Sequence, residues 1–223
     1  MQHFDDIYAR AAKRKDGEAE IEALLSKPKL AEELAAIPDD RWLSCMTRCV
    51  FQAGFNWKVV DSMWPGFESA FQGFDLNYCT FLQDEDFDRL VCDKRIVRHG
   101  AKIQTVQKNA IFLDEFVAGF EGAGQAFAAW PAEDYVDLLD ILKKRGARLG
   151  GNTGQYFLRF MGVDGFILSR DVVARLIAEG VVDKPPTAKK ALAAVQEAFN
   201  IWQGQSSRSL TEISRVLALS IDG

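Results

Sequence analysis

The chain has 223 residues, 48% of them hydrophobic and 26% charged, with a net charge of −5 at neutral pH. Such a composition belongs to a folded globular protein able to bury a core, and it excludes a disordered or low-complexity chain. No apolar run approaches the roughly 20 residues that cross a bilayer, and the start MQHFDDIYAR lacks a signal peptide's pattern, so the expected compartment is the cytoplasm.

The periodicity is helical almost throughout. Residues 5–14 and 18–26 predict short amphipathic helices, broken at Lys15-Asp16-Gly17 and at Pro28. Pro38-Asp39-Asp40 opens a helix to about Ala53, with acids at the positive end of the helix dipole. PGFESAFQGF (65–74) predicts a short helix, and QDEDFDRLVCD (83–93) another with Phe87, Leu90 and Val91 on one face. Residues 101–120 predict a longer one, apolar at Ile103, Val106, Ala110, Leu113 and Val117. A helix follows Pro131 to about Arg145. After a glycine-rich turn, more are expected at 154–161, 168–179, 187–203 and 209–221, the last opened by the capping box Ser209-Leu-Thr-Glu212. Alternating strand patterns are hardly visible. The expected class is all-α, with no internal repeat and no linker.

Cys45, Cys49, Cys79 and Cys92 have no CxxC spacing, and the histidines are His3 and His99 alone. Buried free thiols are expected rather than zinc.

The basic residues are unevenly spread. KRIVRHGAKIQTVQK (94–108) holds five and no acid, and residues 143–159 hold Lys143, Lys144, Arg145, Arg148 and Arg159, again without an acid. A polyanion would meet two basic patches on an otherwise acidic body. Charge alone leaves open two solvated helix ends, because Lys and Arg favour helix C-termini. The glycines between the helices carry more weight. LKKRGARLGGNTGQYFLRF (142–160) has the form of a helix–hairpin–helix, at about 136–162, bracketed by Leu139, Leu142, Leu149, Phe157 and Leu158. Gly150, Gly151, Asn152, Thr153 and Gly154 would let backbone N–H groups approach a phosphate and hold DNA without reading its sequence. Lys143, Lys144, Arg98 and Lys102 would support this electrostatically. Whether the turn also holds a monovalent cation through its carbonyls stays open. GxxxxGK[ST] and GxGxxG phosphate loops are absent.

Three segments together resemble the DNA-3-methyladenine glycosylase I family, within the helix–hairpin–helix glycosylase superfamily. CVFQAGFNW (49–57) is similar to its Gln-Ala-Gly-x-x-Trp segment, and DKRIVRHGAKIQTVQKNA (93–110) to its Ile-x-Arg-x-x-x-Lys-Ile stretch. LKKRGARLGGNTGQYFLRFMG (142–162) is similar to its Leu-Lys-Lys-Arg-Gly hairpin. The resemblance implies one two-lobed helical glycosylase domain over 1–223, a monomer acting on double-stranded DNA that contains alkylated bases. It implies flipping of the damaged nucleotide and hydrolysis of its N-glycosidic bond, as in release of 3-methyladenine. Trp57 matches the stacking Trp, whose face attracts a cationic base; with Phe51 and Phe55 it could equally be core.

Departures from the family are specific. Cys49 stands where the base-recognising Glu belongs, three residues before Gln52, and both would line the base pocket with Trp57. The family's zinc ligands are missing, and of its N-terminal tyrosines only Tyr8 has a candidate equivalent. VDGFILSRDV (163–172) is similar to the superfamily segment that carries a catalytic Asp. Asp164 would then stabilise charge on the sugar or orient water, although it could also be a turn residue before the helix at 168–179. No lysine lies between Leu149 and Asp183, which excludes a Schiff-base nucleophile near the hairpin and implies a monofunctional enzyme. With Cys49 in place of Glu, a relative that binds damaged or bent DNA without excising a base is the alternative.

Overall fold

The computed structural model describes residues 1–221, and among them every regular element is helical. In chain order the α-helices are α1 (Phe4–Arg14), α2 (Glu18–Leu24), α3 (Ala31–Ala35), α4 (Asp39–Gln52), α5 (Trp57–Ser62), α6 (Trp64–Ala70), α7 (Leu76–Thr80) and α8 (Asp84–Cys92). They continue as α9 (Gly100–Phe116), α10 (Ala123–Ala128), α11 (Tyr135–Arg145), α12 (Asn152–Met161), α13 (Arg170–Ala178), α14 (Lys189–Ser206) and α15 (Leu210–Leu219). Among the described residues no helix is long and apolar enough to cross a membrane.

The chain sorts into two compact units. One gathers Met1–Lys29, Trp130–Leu138 and everything from Gly162 onward. Its core joins Phe4 and Ile7 of α1 to Phe166, Phe199, Trp202 and Ile213, with Phe166 stacked on Phe199 at 4.2 Å. The Trp202 indole donates to the Gln2 carbonyl, which fastens the first residues to α14. The capping box forms as the sequence predicts: Ser209 Oγ accepts from the Glu212 N–H, and Glu212 Oε2 accepts from the Ser209 N–H.

The second unit is made of Leu30–Ala129 and Leu139–Met161. Its centre is α4, where Trp42, Leu43, Met46, Thr47, Cys49, Val50 and Phe51 are all buried. The broad apolar face of α4 is packed by α9 and α12, while Arg41, Ser44, Arg48 and Gln52 line a cavity on its polar side. Trp42 stacks on Phe127 (4.6 Å) and meets Phe157 edge-on (6.0 Å). Trp64, Phe67, Phe71 and Phe74 add stacked aromatic contacts beside it.

Helix ends differ from expectation in two places. The helix expected over 101–120 stops at Phe116. The one expected over 65–74 stops at Ala70 and passes into a 3-10 turn, where Gly73 adopts φ 70°.

Candidate nucleic-acid interface and base pocket

The hairpin is a helix–turn–helix built from α11, residues 146–151 and α12. Leu149 is buried in the turn beneath Leu142 and the start of α12. A side chain on Gly154 would collide with the Leu149 carbonyl, so glycine is required there, and Gly151 adopts φ 60°, which favours glycine. Asn109 of α9, fully buried, clamps the turn: its Oδ1 accepts from the Ala147 N–H (2.7 Å), and its Nδ2 donates to the Ala147 carbonyl (3.2 Å). The first turn of α12, Asn152, Thr153 and Gly154, holds no acid. Its N–H groups lack carbonyl partners within the helix, and the helix dipole makes that end positive. Gly151 and Asn152 are exposed.

Around this turn the basic residues divide. Lys144 pairs with Asp140 (2.6 Å) and Arg145 with Glu115 (3.1 Å). Lys143, Arg148 and Arg98 are exposed, and among the described residues none of the three has an ion pair. Lys102 requires a correction. Rather than reaching a phosphate it is buried, with Nζ donating to the carbonyls of Ala53 (2.6 Å) and Phe51 (3.2 Å) and lying 4.4 Å from the Phe55 ring centre. It satisfies carbonyls at the end of α4, and burial, with Arg148 nearby, pulls its pKa below the ordinary lysine value.

Two cavities flank Trp57. The smaller, about 150 Å³, is lined by Cys49, Gln52, Trp57 and Tyr156, and by Asn152 and Thr153 of the hairpin. The larger, about 540 Å³, is lined by Gln52, Trp57, Phe160, Arg48, Asp61 and Glu68 among others. Trp57 is 43% exposed, whereas the core tryptophans Trp42 and Trp202 are at 0%, so it is a wall and not core. Tyr156 and Phe160 of α12 meet its ring edge-on, at 5.5 and 6.1 Å. The structure therefore brings Cys49, Gln52, Trp57, Asn152 and Thr153 together. A third cavity of about 530 Å³, in the other unit, is lined by Glu133, Asp134, Asp137 and Glu197; such a wall repels a polyanion.

Cys49 is buried, and a hydrogen bond with Cys45 together with burial pushes its thiol far above the ordinary range, so it remains protonated. Asp164, expected as the catalytic carboxylate, is tied to a helix end. Both its oxygens accept backbone N–H groups, Oδ1 from Thr211 (2.8 Å) and Oδ2 from Leu210 (3.2 Å). It caps the start of α15, with one N–H on each oxygen. Tyr8 belongs to the same unit as Asp164; its hydroxyl donates to Glu22 (2.7 Å), and Arg208 lies 4.9 Å from its ring centre. Burial and the Glu22 carboxylate push its pKa up to about 12.

The larger cavity also holds residues that sequence reasoning missed. Glu68 accepts both arms of the Arg41 guanidinium (2.9 Å each), Ser44 Oγ (2.7 Å) and the Trp64 indole N–H (3.0 Å). Burial acts to raise its carboxyl, and these donors outweigh it, leaving the pKa below the usual range. Asp61 Oδ1 accepts from Arg48 Nε (2.9 Å), Arg48 Nη2 (2.7 Å) and Gln52 Nε2 (2.8 Å). Among the described residues no group of three or more His, Cys, Asp or Glu is arranged to hold a metal ion.

Residues 36–130 match the family described as methyladenine glycosylase. The DNA-3-methyladenine glycosylase 1 of Escherichia coli (strain K12) is 39% identical over 59 residues, 26% of this chain and 32% of that protein. The matched stretch thus spans about a third of that relative's length. The structure of 3-methyladenine DNA glycosylase I from Staphylococcus aureus is similar with a TM-score of 0.50 at 18% identity, covering 62% of this chain and 80% of that one. Another crystal structure of a 3-methyladenine DNA glycosylase I gives a TM-score of 0.49 at 22% identity, covering 62% and 83%. At 18% identity the Staphylococcus aureus likeness is one of fold, and the fold is helical.

Proposed function

Residues 36–130 match the methyladenine glycosylase family, and from that premise we propose that the chain belongs to it and is a monofunctional DNA glycosylase acting on alkylated purines. In this reading the α12 N-terminus and the unpaired Lys143, Arg148 and Arg98 hold the duplex by its phosphates. The damaged nucleotide is turned out of the stack, and its base lies against Trp57. A purine nucleotide methylated at N3 or N7 carries a positive charge, which an aromatic face attracts. Water attacks the anomeric carbon of the sugar as the carbon–nitrogen bond breaks; the bond's electron pair neutralises the departing base, and the attacking water gives up its proton to solvent to leave a hydroxyl on the sugar. A leaving group already cationic demands little general acid, which suits a site where Cys49 replaces Glu and Asp164 is committed to a helix end.

The observation that carries this reading is the shared wall. Asn152 and Thr153, first in the phosphate-binding helix, line the same cavity as Trp57. The test is chromatography of bases released from methylated genomic DNA: free 3-methyladenine or 7-methylguanine is expected, with strands left uncut. Duplex binding without release is the second reading, favoured by Cys49 and by the engagement of both Asp164 oxygens. Tight binding of methylated duplex with no free base would establish it instead.

A further inference from the structure

We infer that Asp61 supplies the base-recognising carboxylate that position 49 lacks, and that the flipped purine occupies the larger cavity, presenting an exocyclic amine to Asp61 Oδ2. The inference rests on the glycosylase reading and names how its base is chosen.

Size separates the two cavities first. A space of about 150 Å³ takes one benzene ring, and a purine has two fused rings, whereas ligand sites generally occupy about 300–1,000 Å³. The larger cavity, at about 540 Å³, accommodates the base with part of its sugar. Trp57 lines both, so the stacking surface is kept whichever side is used. Trp57 and Asp61 are four residues apart on α5, which puts ring and carboxylate on one helix face a turn apart.

The hydrogen bonding of Asp61 is lopsided. Its Oδ1 takes three donors, from Arg48 and Gln52, while no described hydrogen bond reaches Oδ2. The side chain keeps 40% of its surface open in the cavity lining. Glu68, the other carboxylate there, is filled by Arg41, Ser44 and Trp64 and has no comparable opening. Arg48 leans on the Trp64 ring (5.6 Å) and is fixed as it holds Asp61. A fixed carboxylate oxygen beside an aromatic wall accepts from an N–H and repels a carbonyl. The site therefore selects an amine-bearing purine of the adenine kind over its deaminated keto counterpart.

The same geometry makes Asp61→Asn a polarity switch. Arg48 and Gln52 demand an acceptor at the Oδ1 position, so the amide oxygen is held there and the NH2 points into the cavity. An acceptor is thereby replaced by a donor with no change of shape. Binding of free adenine, 3-methyladenine and hypoxanthine to the full chain is read from tryptophan fluorescence. Release of 3-methyladenine from methylated duplex is followed in parallel by chromatography.

Wild type is expected to prefer both amine-bearing bases to hypoxanthine by about 10- to 100-fold, the range for a hydrogen bond to a charged group. Asp61→Asn is expected to invert that order and to slow release of 3-methyladenine by a similar factor. Equal affinity for the three bases in wild type, which requires no variant to fold, would overturn the assignment; so would an unchanged order in a folded Asp61→Asn. If the preference and its inversion are seen but no base is ever released, recognition by Asp61 stands and the proposed hydrolysis fails.

Discussion

Asp164 illustrates how a residue's role depends on what its atoms already hold. Two backbone N–H groups of α15 occupy the carboxylate, and the 46–47 residues separating the partners make this a long-range tie within its unit. Asp164→Ala is expected to lower unfolding free energy by about 1–2 kcal/mol, as loss of a helix cap does, measured by urea denaturation. Single-turnover base release, assayed well below the melting temperature, should stay within about twofold of wild type, since a catalytic carboxylate would cost on the order of 10²-fold or more. Lys102 teaches the same lesson for cations. In the sequence it is one more base in a run without acids, and only the fold reveals that its ammonium is held by the Ala53 and Phe51 carbonyls.

Among the elements, the longer helices were legible because each carries several turns of apolar periodicity, and α4, α9 and α14 lie close to where that pattern puts them. The hairpin was legible for a different reason: Gly154 leaves no room for a side chain, and Gly151 takes a left-handed φ that glycine adopts most readily. By contrast α3, α5, α7 and α10 have five or six residues each. One and a half turns give no period to detect and hold only through tertiary packing. Asp61 therefore sits in a segment with no detectable period, and Glu68, within the helix expected over 65–74, is marked out by nothing in its own segment. Their meaning depends on α5 and α6 being set beside Arg48 and Arg41 of α4, pairings 13 and 27 residues apart. Asn109 was hidden for the opposite reason, as a polar residue among the buried positions of a long helix. Replacing it with Ala leaves the Ala147 N–H and C=O without partners, at a cost of about 1–3 kcal/mol for each buried group that stays unsatisfied. Asn109→Ala should lower the melting temperature and weaken duplex binding several-fold, because the phosphate-binding turn loses its clamp; fluorescence anisotropy reads the second effect.

At the scale of the whole molecule, the proposed function asks an acidic chain to hold DNA, which is possible because its net charge is not what the duplex would meet. Three unpaired cations, Lys143, Arg148 and Arg98, predict a plot of log affinity against log salt with a slope of about −3, near −0.9 per phosphate contact. Lys143→Ala should flatten it by about 0.9 units, read by anisotropy between low and physiological salt; an unchanged slope would remove Lys143 from the interface. From the sequence one two-lobed domain over 1–223 is expected, with no sign of which segments gather into each unit. Nothing local says that Phe4 and Ile7 are buried in the unit that contains Trp202 and Ile213. Such a closure joins segments about 200 residues apart, and only the completed core specifies it.

The sulfur at position 49 has a chemical corollary. Agents that methylate DNA bases also attack thiolates, and a cysteine lining a lesion pocket would be their natural victim in a cell under alkylation stress. The hydrogen bond with Cys45 and enclosure within α4's packing keep Cys49 almost entirely as thiol, and thiols are poor nucleophiles. A protonated, enclosed thiol is a poor target for such electrophiles. In the proposed glycosylase reading, the protein meets methylating agents without offering them a thiolate at position 49.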